Sequence, residues 1–119
     1  MAVRGIRGAT SVAENNPQLI KEATGELLRR MVDENQVDLA ETASIFFTVT
    51  RDLDAAFPAA AARELGWTQV PLLCATEINV PGSVLGIIRV LIHVNTDKKQ
   101  HEIKHSYLKD AVKLREDLR

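Results

Sequence analysis

The sequence predicts an α+β domain in which a four- or five-stranded sheet carries helices on one face only. An apolar stripe at helical spacing runs from Leu19 to Met31, and two segments, Ser44 to Thr50 and Ile87 to Val94, alternate with the period of two that marks half-buried strands. Size limits the rest: 119 residues, 45% hydrophobic and 26% charged, make a single domain over 1–119 and are too few for two independent cores.

Val3 to Ala9 is expected as a strand loosened by Gly5 and Gly8. Asn15 or Asn16 can then cap a helix with Pro17 in its first turn, and Leu19, Ile20, Ala23, Leu27, Leu28 and Met31 sustain it to about Asp33. In the strand Ser44 to Thr50, Ile45, Phe47 and Val49 share one face, and Ser44, Phe46 and Thr48 share the other. Pro58 to Leu65 reads as a short helix ended by Gly66. Val70 to Ala75 reads as a shorter strand, whose Pro71 favours a start or an edge. Ile87 to Val94 places Ile88, Val90, Ile92 and Val94 on one side and Ile87, Arg89, Leu91 and His93 on the other. One long and one short helix cover one sheet face, so the semi-polar face lacks cover inside a monomer. This predicts an oligomer whose sheets face each other, as a small closed ring or a dimer.

Fifteen Lys and Arg against sixteen Asp and Glu leave a net charge of −1, which excludes a general polyanion binder of nucleic acid or anionic lipid. The single Cys74 cannot form an intramolecular disulfide and suits a reducing compartment. The stretch Val84 to Val94, interrupted by Arg89, falls far short of the roughly 20 apolar residues that span a bilayer, so no membrane span is expected. Met1 to Arg7 holds two arginines before any apolar segment develops and does not read as a signal peptide; the expected location is cytoplasmic. There is no internal repeat and no low-complexity segment.

His101-Glu102-Ile103-Lys104-His105 matches H-E-x-x-H, which on a helix would place two imidazoles for zinc and a glutamate beside a bound water. Leu108 and Ala111 stand where the extended motif needs Gly and His, and no third ligand follows, so no metal site is expected. The arginines carry more chemistry. Arg89 lies mid-strand among aliphatics and needs an anionic partner, either a structural acid such as Glu77 or a ligand. Arg7 lies between two glycines that permit close approach, although a surface ion pair also accounts for it. Cys74 reads first as a small core residue and Glu77 as a loop acid; no histidine spacing supports a cysteine nucleophile. Trp67, Phe46, Phe47 and Phe57 read as core or interface anchors, His93 as a satisfied interior histidine, and Lys98-Lys99 as a solvated turn.

With these residues in hand, the chain resembles the monofunctional chorismate mutases of the trimeric, sheet-rich bacterial class. Matches run in order along nearly the whole chain: Val3-Arg4-Gly5-Ile6-Arg7-Gly8-Ala9-Thr10, Phe47-Thr48-Val49-Thr50 with Asp52-Leu53, and Phe57-Pro58-Ala59 leading to Ala62-Arg63. They continue through Val70-Pro71-Leu72, Cys74 and Glu77, Ile88-Arg89-Val90, Asn95-Thr96-Asp97, His105 with Tyr107-Leu108, Leu114-Arg115 and Asp117-Leu118. The resemblance implies a ferredoxin-like mixed sheet with helices on one face, assembling as a homotrimeric pseudo α/β barrel with sheets inward. It implies three active sites at subunit interfaces and rearrangement of chorismate to prephenate with no cofactor, in aromatic amino-acid biosynthesis.

By the same resemblance, Arg89 would donate to the ether oxygen and a substrate carboxylate, because a guanidinium is a fixed, multi-donor cation. Arg7 and Tyr107 would hold a carboxylate, and Glu77 with Cys74 would meet the ring hydroxyl. Arg63 and Arg115 would supply positive field at the mouth, while Phe57, Ala59 and Leu73, with Leu114, would line the substrate pocket. Ala60 stands where a longer, often basic, side chain is expected, which weakens substrate capture there. Relatives often carry a tail beyond the position of Arg119, so closure over the site is expected to be weaker here. Relatives carry other small polar residues at position 74, which argues against covalent chemistry by the thiol. Two other readings compete with the mutase: a non-catalytic anion-binding trimer on the same fold, and the zinc hydrolase.

Overall fold

Alternating apolar positions and one amphipathic helix build a two-layer protein. A computed structural model describes residues 1–114. In chain order it contains β1 (Ala2–Ser11), α1 (Pro17–Asn35), β2 (Thr42–Val49), α2 (Ala59–Glu64), β3 (Leu72–Thr76), β4 (Ile87–Thr96) and β5 (Ser106–Tyr107). Short 3₁₀ turns occupy Leu39–Glu41, Gln100–Glu102 and Lys109–Leu114. The sheet has five strands in the order β3-β2-β4-β1-β5. β4 runs antiparallel to both β1 and β2, while β2–β3 and β1–β5 are parallel.

This topology bears out the α+β mixed sheet and corrects the ferredoxin-like expectation. A ferredoxin-like chain runs β-α-β-β-α-β. Here α2 directly links β2 to its parallel neighbour β3, and the chain then crosses back through residues 77–86 to insert β4 between β2 and β1. The physical reason is long-range pairing: β4 bonds antiparallel to both β1 and β2, while the short, small-residue-rich segments Ala59–Glu64 and Leu72–Thr76 make a compact parallel connection at the sheet edge.

The side-chain faces fall where alternation places them. Ile6, Ile45, Phe47, Val90, Ile92 and Val94 meet Leu27, Leu28 and Met31 of α1 and the alanines of α2 in the main core. α1 starts where Asn16 accepts from the Leu19 amide at 3.0 Å, and it ends where Gln36 turns left-handed at φ 47°. Gly8 has a packing reason rather than a flexibility one: a Cβ there would lie 2.4 Å from Met31 Sδ and 3.1 Å from Leu27 Cδ1. Glycine thus lets α1 settle onto β1. No helix among the described residues is long and apolar enough to cross a membrane.

The second sheet face carries Arg7, Phe46, Thr48, Arg89, Leu91 and His93 by the same alternation and, among the described residues, has no α-helix over it. Only its β5 end is covered, where Ala111 of the C-terminal 3₁₀ turn packs with Ala9 and Ile87, flanked by Tyr107 and Leu114.

Candidate active site

The register decides which charges meet. Arg89 pairs with Ala9 of β1 and Thr48 of β2, while Arg7 pairs with Leu91, so the two arginines stand diagonally across the β1–β4 ladder on the open face. β5 adds Tyr107 beside Ala9. Glu77 follows β3, with its amide bonded to the Val49 carbonyl at 2.8 Å. Its carboxylate receives Arg89 Nε at 3.0 Å and the Thr48 hydroxyl on the same oxygen, Oε1. Arg7, Phe46, Thr48, Glu77, Arg89 and Tyr107 thereby surround a concavity of about 300 Å³.

This floor is apolar and cationic on balance. Arg89 is 44% exposed despite its mid-strand position, because among the described residues only the β5 end of this face is covered. Both readings of Arg89 meet here, since it pairs with Glu77 and still presents the rest of its guanidinium to the concavity. Among the described residues, Arg7 has no carboxylate partner. Its amide donates to His105 Nδ1 at 2.9 Å, which holds the strand under the site. Two guanidiniums and a phenol against one carboxylate suit an anion that carries a hydroxyl.

The remaining expected residues lie elsewhere. Cys74 pairs with the core residue Phe47, so its side chain points to the helix side, away from Glu77. It borders a second hollow of about 360 Å³ at the β3 edge, with Leu53, Ala55, Phe57 and Pro58. Phe57 is 71% exposed, Ala59 is buried in the core, and Arg63 is exposed in the last turn of α2. Leu73, 58% exposed, pairs with Phe46 on the open face. Leu114, like Tyr107, packs against the Ala9, Ile87 and Ala111 cluster, and Arg115 lies outside the described residues. The chain therefore holds the expected residues in two separate places: the Arg7, Glu77, Arg89 and Tyr107 floor, and the Phe57 and Cys74 hollow.

The H-E-x-x-H segment is not one helix. His101 and Glu102 end a 3₁₀ turn, Ile103 is extended, and Glu102 Oε1 accepts from the Lys99 amide at 2.8 Å while His105 accepts from Arg7. His101 and His105 therefore lack the shared helical face that the zinc reading needs. Thr48, whose hydroxyl donates to Glu77, is not among the site residues the sequence points to; its place on the mixed strand face is the one signal the sequence offers.

A mixed sheet whose bare face gathers two arginines, an acid and a phenol defines a small enzyme-like anion site, open on one side. Comparison with known proteins gives the class its family: a family description, chorismate mutase type I, matches residues 3–118, and the chain belongs to this family. It is 52% identical over 117 residues to chorismate mutase AroH of Thermus thermophilus, covering 98% of this chain and 96% of the relative. It is 42% identical over 119 residues to chorismate mutase AroH of Bacillus subtilis, covering 99% and 94%. A solved chorismate mutase from Clostridium thermocellum superposes with a TM-score of 0.89 at 52% identity, covering 90% of this chain and 96% of that one.

Proposed function

We propose that this enzyme converts chorismate to prephenate by an intramolecular Claisen rearrangement in a site built from two half-sites of neighbouring copies, three per homotrimer. The observation that carries the reading is the convergence of Arg7, Arg89, Tyr107 and Glu77 on the uncovered sheet face. The reaction needs no nucleophile or proton shuttle: a dianion must be held compactly while negative charge grows on the breaking ether oxygen. Arg89 donates to that oxygen, Arg7 and Tyr107 hold a carboxylate, and Glu77 accepts from the ring hydroxyl.

The trimer is supported by what one chain leaves bare. Phe46 and Leu73 are exposed on the open face, and Ile78, Val80, Val84 and Leu85 are exposed on the adjoining 77–86 crossover, an apolar area that calls for cover. A head-to-tail ring brings the Phe57, Arg63 and Cys74 half of one copy to the cationic half of the next, and Cys74 then serves a site without sharing a face with its own Glu77. The test is loss of chorismate absorbance on adding enzyme, with light scattering on the same sample. Turnover by a trimer is expected; a fully active monomer overturns the shared site, and tight binding of chorismate without turnover favours the anion-binding module.

A further inference from the structure

We propose that Thr48 is a positioning residue for this reaction: by donating to Glu77 Oε1, its hydroxyl fixes the carboxylate that in turn holds Arg89. The inference deepens the mutase reading above and rests on it. Thr48 sits directly opposite Arg89 on β2–β4 and opposite Ala75 on β2–β3, under the place where the chain leaves β3 for Glu77. A β-branched side chain in a strand has a restricted χ1, so the hydroxyl is a stiffly mounted donor. Glu77 is the reverse, a longer side chain on a crossover whose nearest backbone anchor is its own amide on Val49.

One carboxylate oxygen receives both the Thr48 hydroxyl and Arg89 Nε. Two donors on Oε1 set the carboxylate's rotation, leave Oε2 for the ring hydroxyl, and hold the terminal nitrogens of Arg89 toward the concavity. Without the hydroxyl, Glu77 gains rotamers, and Arg89 moves with it. The damage falls on preorganisation of the reacting geometry rather than on raw affinity. Such an effect acts through Glu77, so it disappears once Glu77 is gone.

The test is steady-state kinetics on folded Thr48→Val, Thr48→Ser and Glu77→Ala proteins and on the Thr48→Val/Glu77→Ala double variant, with wild type measured first. Thr48→Val removes only the hydroxyl and is expected to lower kcat about 10-fold with KM changed less than about 3-fold, the scale of one lost hydrogen bond to a charged group. Thr48→Ser keeps the donor and should stay within about 2-fold of wild type. In the Glu77→Ala background, Thr48→Val should change kcat by less than about 2-fold, the non-additivity expected of groups that act as a unit. A wild-type kcat in Thr48→Val, or an equal loss in both backgrounds, overturns the positioning role and leaves the mutase reading intact. A wild type without turnover overturns the mutase reading and this inference with it. If Thr48→Val does not fold, Thr48→Ala is judged by the same comparison.

Discussion

Replacing Arg89 with Ala separates turnover from both folding and binding. The Arg89–Glu77 pair spans 3.0 Å but is 44% and 26% exposed, so water screens it, and its loss should cost the fold no more than about 1 kcal/mol. That corresponds to a few degrees in Tm at most for a domain of this size. Its cost in turnover is of another order. Negative charge develops on the ether oxygen only as the bond stretches, so a donor fixed there stabilises the transition state more than bound substrate. Loss of one preorganised donor costs about 10²–10³ in kcat, about 2.7–4 kcal/mol, and a charged donor sets this as the lower bound. Part of the damage should reach KM, because Glu77 is left facing a dianion without its counter-charge. Arg89→Lys should recover only part of kcat, since an ammonium lacks the planar fork that reaches ether and carboxylate together. Arg7→Ala, losing a carboxylate anchor, should show a larger share of its effect in KM. The assay is steady-state kinetics on folded variants matched to wild type by thermal melts and light scattering. Near wild-type kcat with weakened KM in Arg89→Ala would make Arg89 an anion clamp and refute the reasoning.

Three further outcomes follow from single contacts. Gly8→Ala should destabilise by about 1–3 kcal/mol in urea unfolding, because its Cβ meets Met31 Sδ at 2.4 Å in a buried layer; an unchanged midpoint would show that α1 is not held this close. Cys74→Ala should keep most activity and Glu77→Ala should lose clearly more, measured as kcat, since a thiol is a weak partner beside a carboxylate; abolished turnover in folded Cys74→Ala would reopen covalent catalysis. Burial works against the Asp52 charge, but the Thr50 hydroxyl and the Gly86 amide bond to it and hold its carboxyl below the ordinary range. The depressed native value means that Asp52 stabilises the fold above the unfolded-state value, about pH 4, and loses that contribution as pH falls through the native one. The stability gap between wild type and Asp52→Asn should therefore be constant near neutrality and close in acid; a gap that widens in acid contradicts the assignment.

Much of this was legible in the sequence where local rules decide. Asn16 and Pro17 open α1, and the alternation in β2 and β4 assigns each side chain to its face, including Arg89 to the bare one. The two-residue β5 carries too few residues for any periodicity, and only its parallel pairing with β1 places Tyr107 in the site. Strand order was equally hidden, because nothing local in Ile87–Thr96 says that β4 inserts between β2 and β1; long-range pairing decides it. The separation of Cys74 from Glu77 followed from parity: three residues along an extended chain reverse the face. Thr48 looked like any strand threonine until the register set it opposite Arg89.

Subunit mixing tests the shared site most directly. In the proposed trimer, Arg89→Ala damages the cationic half, and Arg63→Glu, which reverses a charge on α2, damages the half that a neighbour would supply. Each variant alone should be nearly inactive while still trimeric. When the two are co-assembled from denatured chains in equal amounts, a site is intact only if its cationic half comes from one variant and its wall from the other, so about one quarter of wild-type turnover should return for random head-to-tail trimers. Activity no greater than the sum of the two separate variants would place the whole site within one chain and contradict the account.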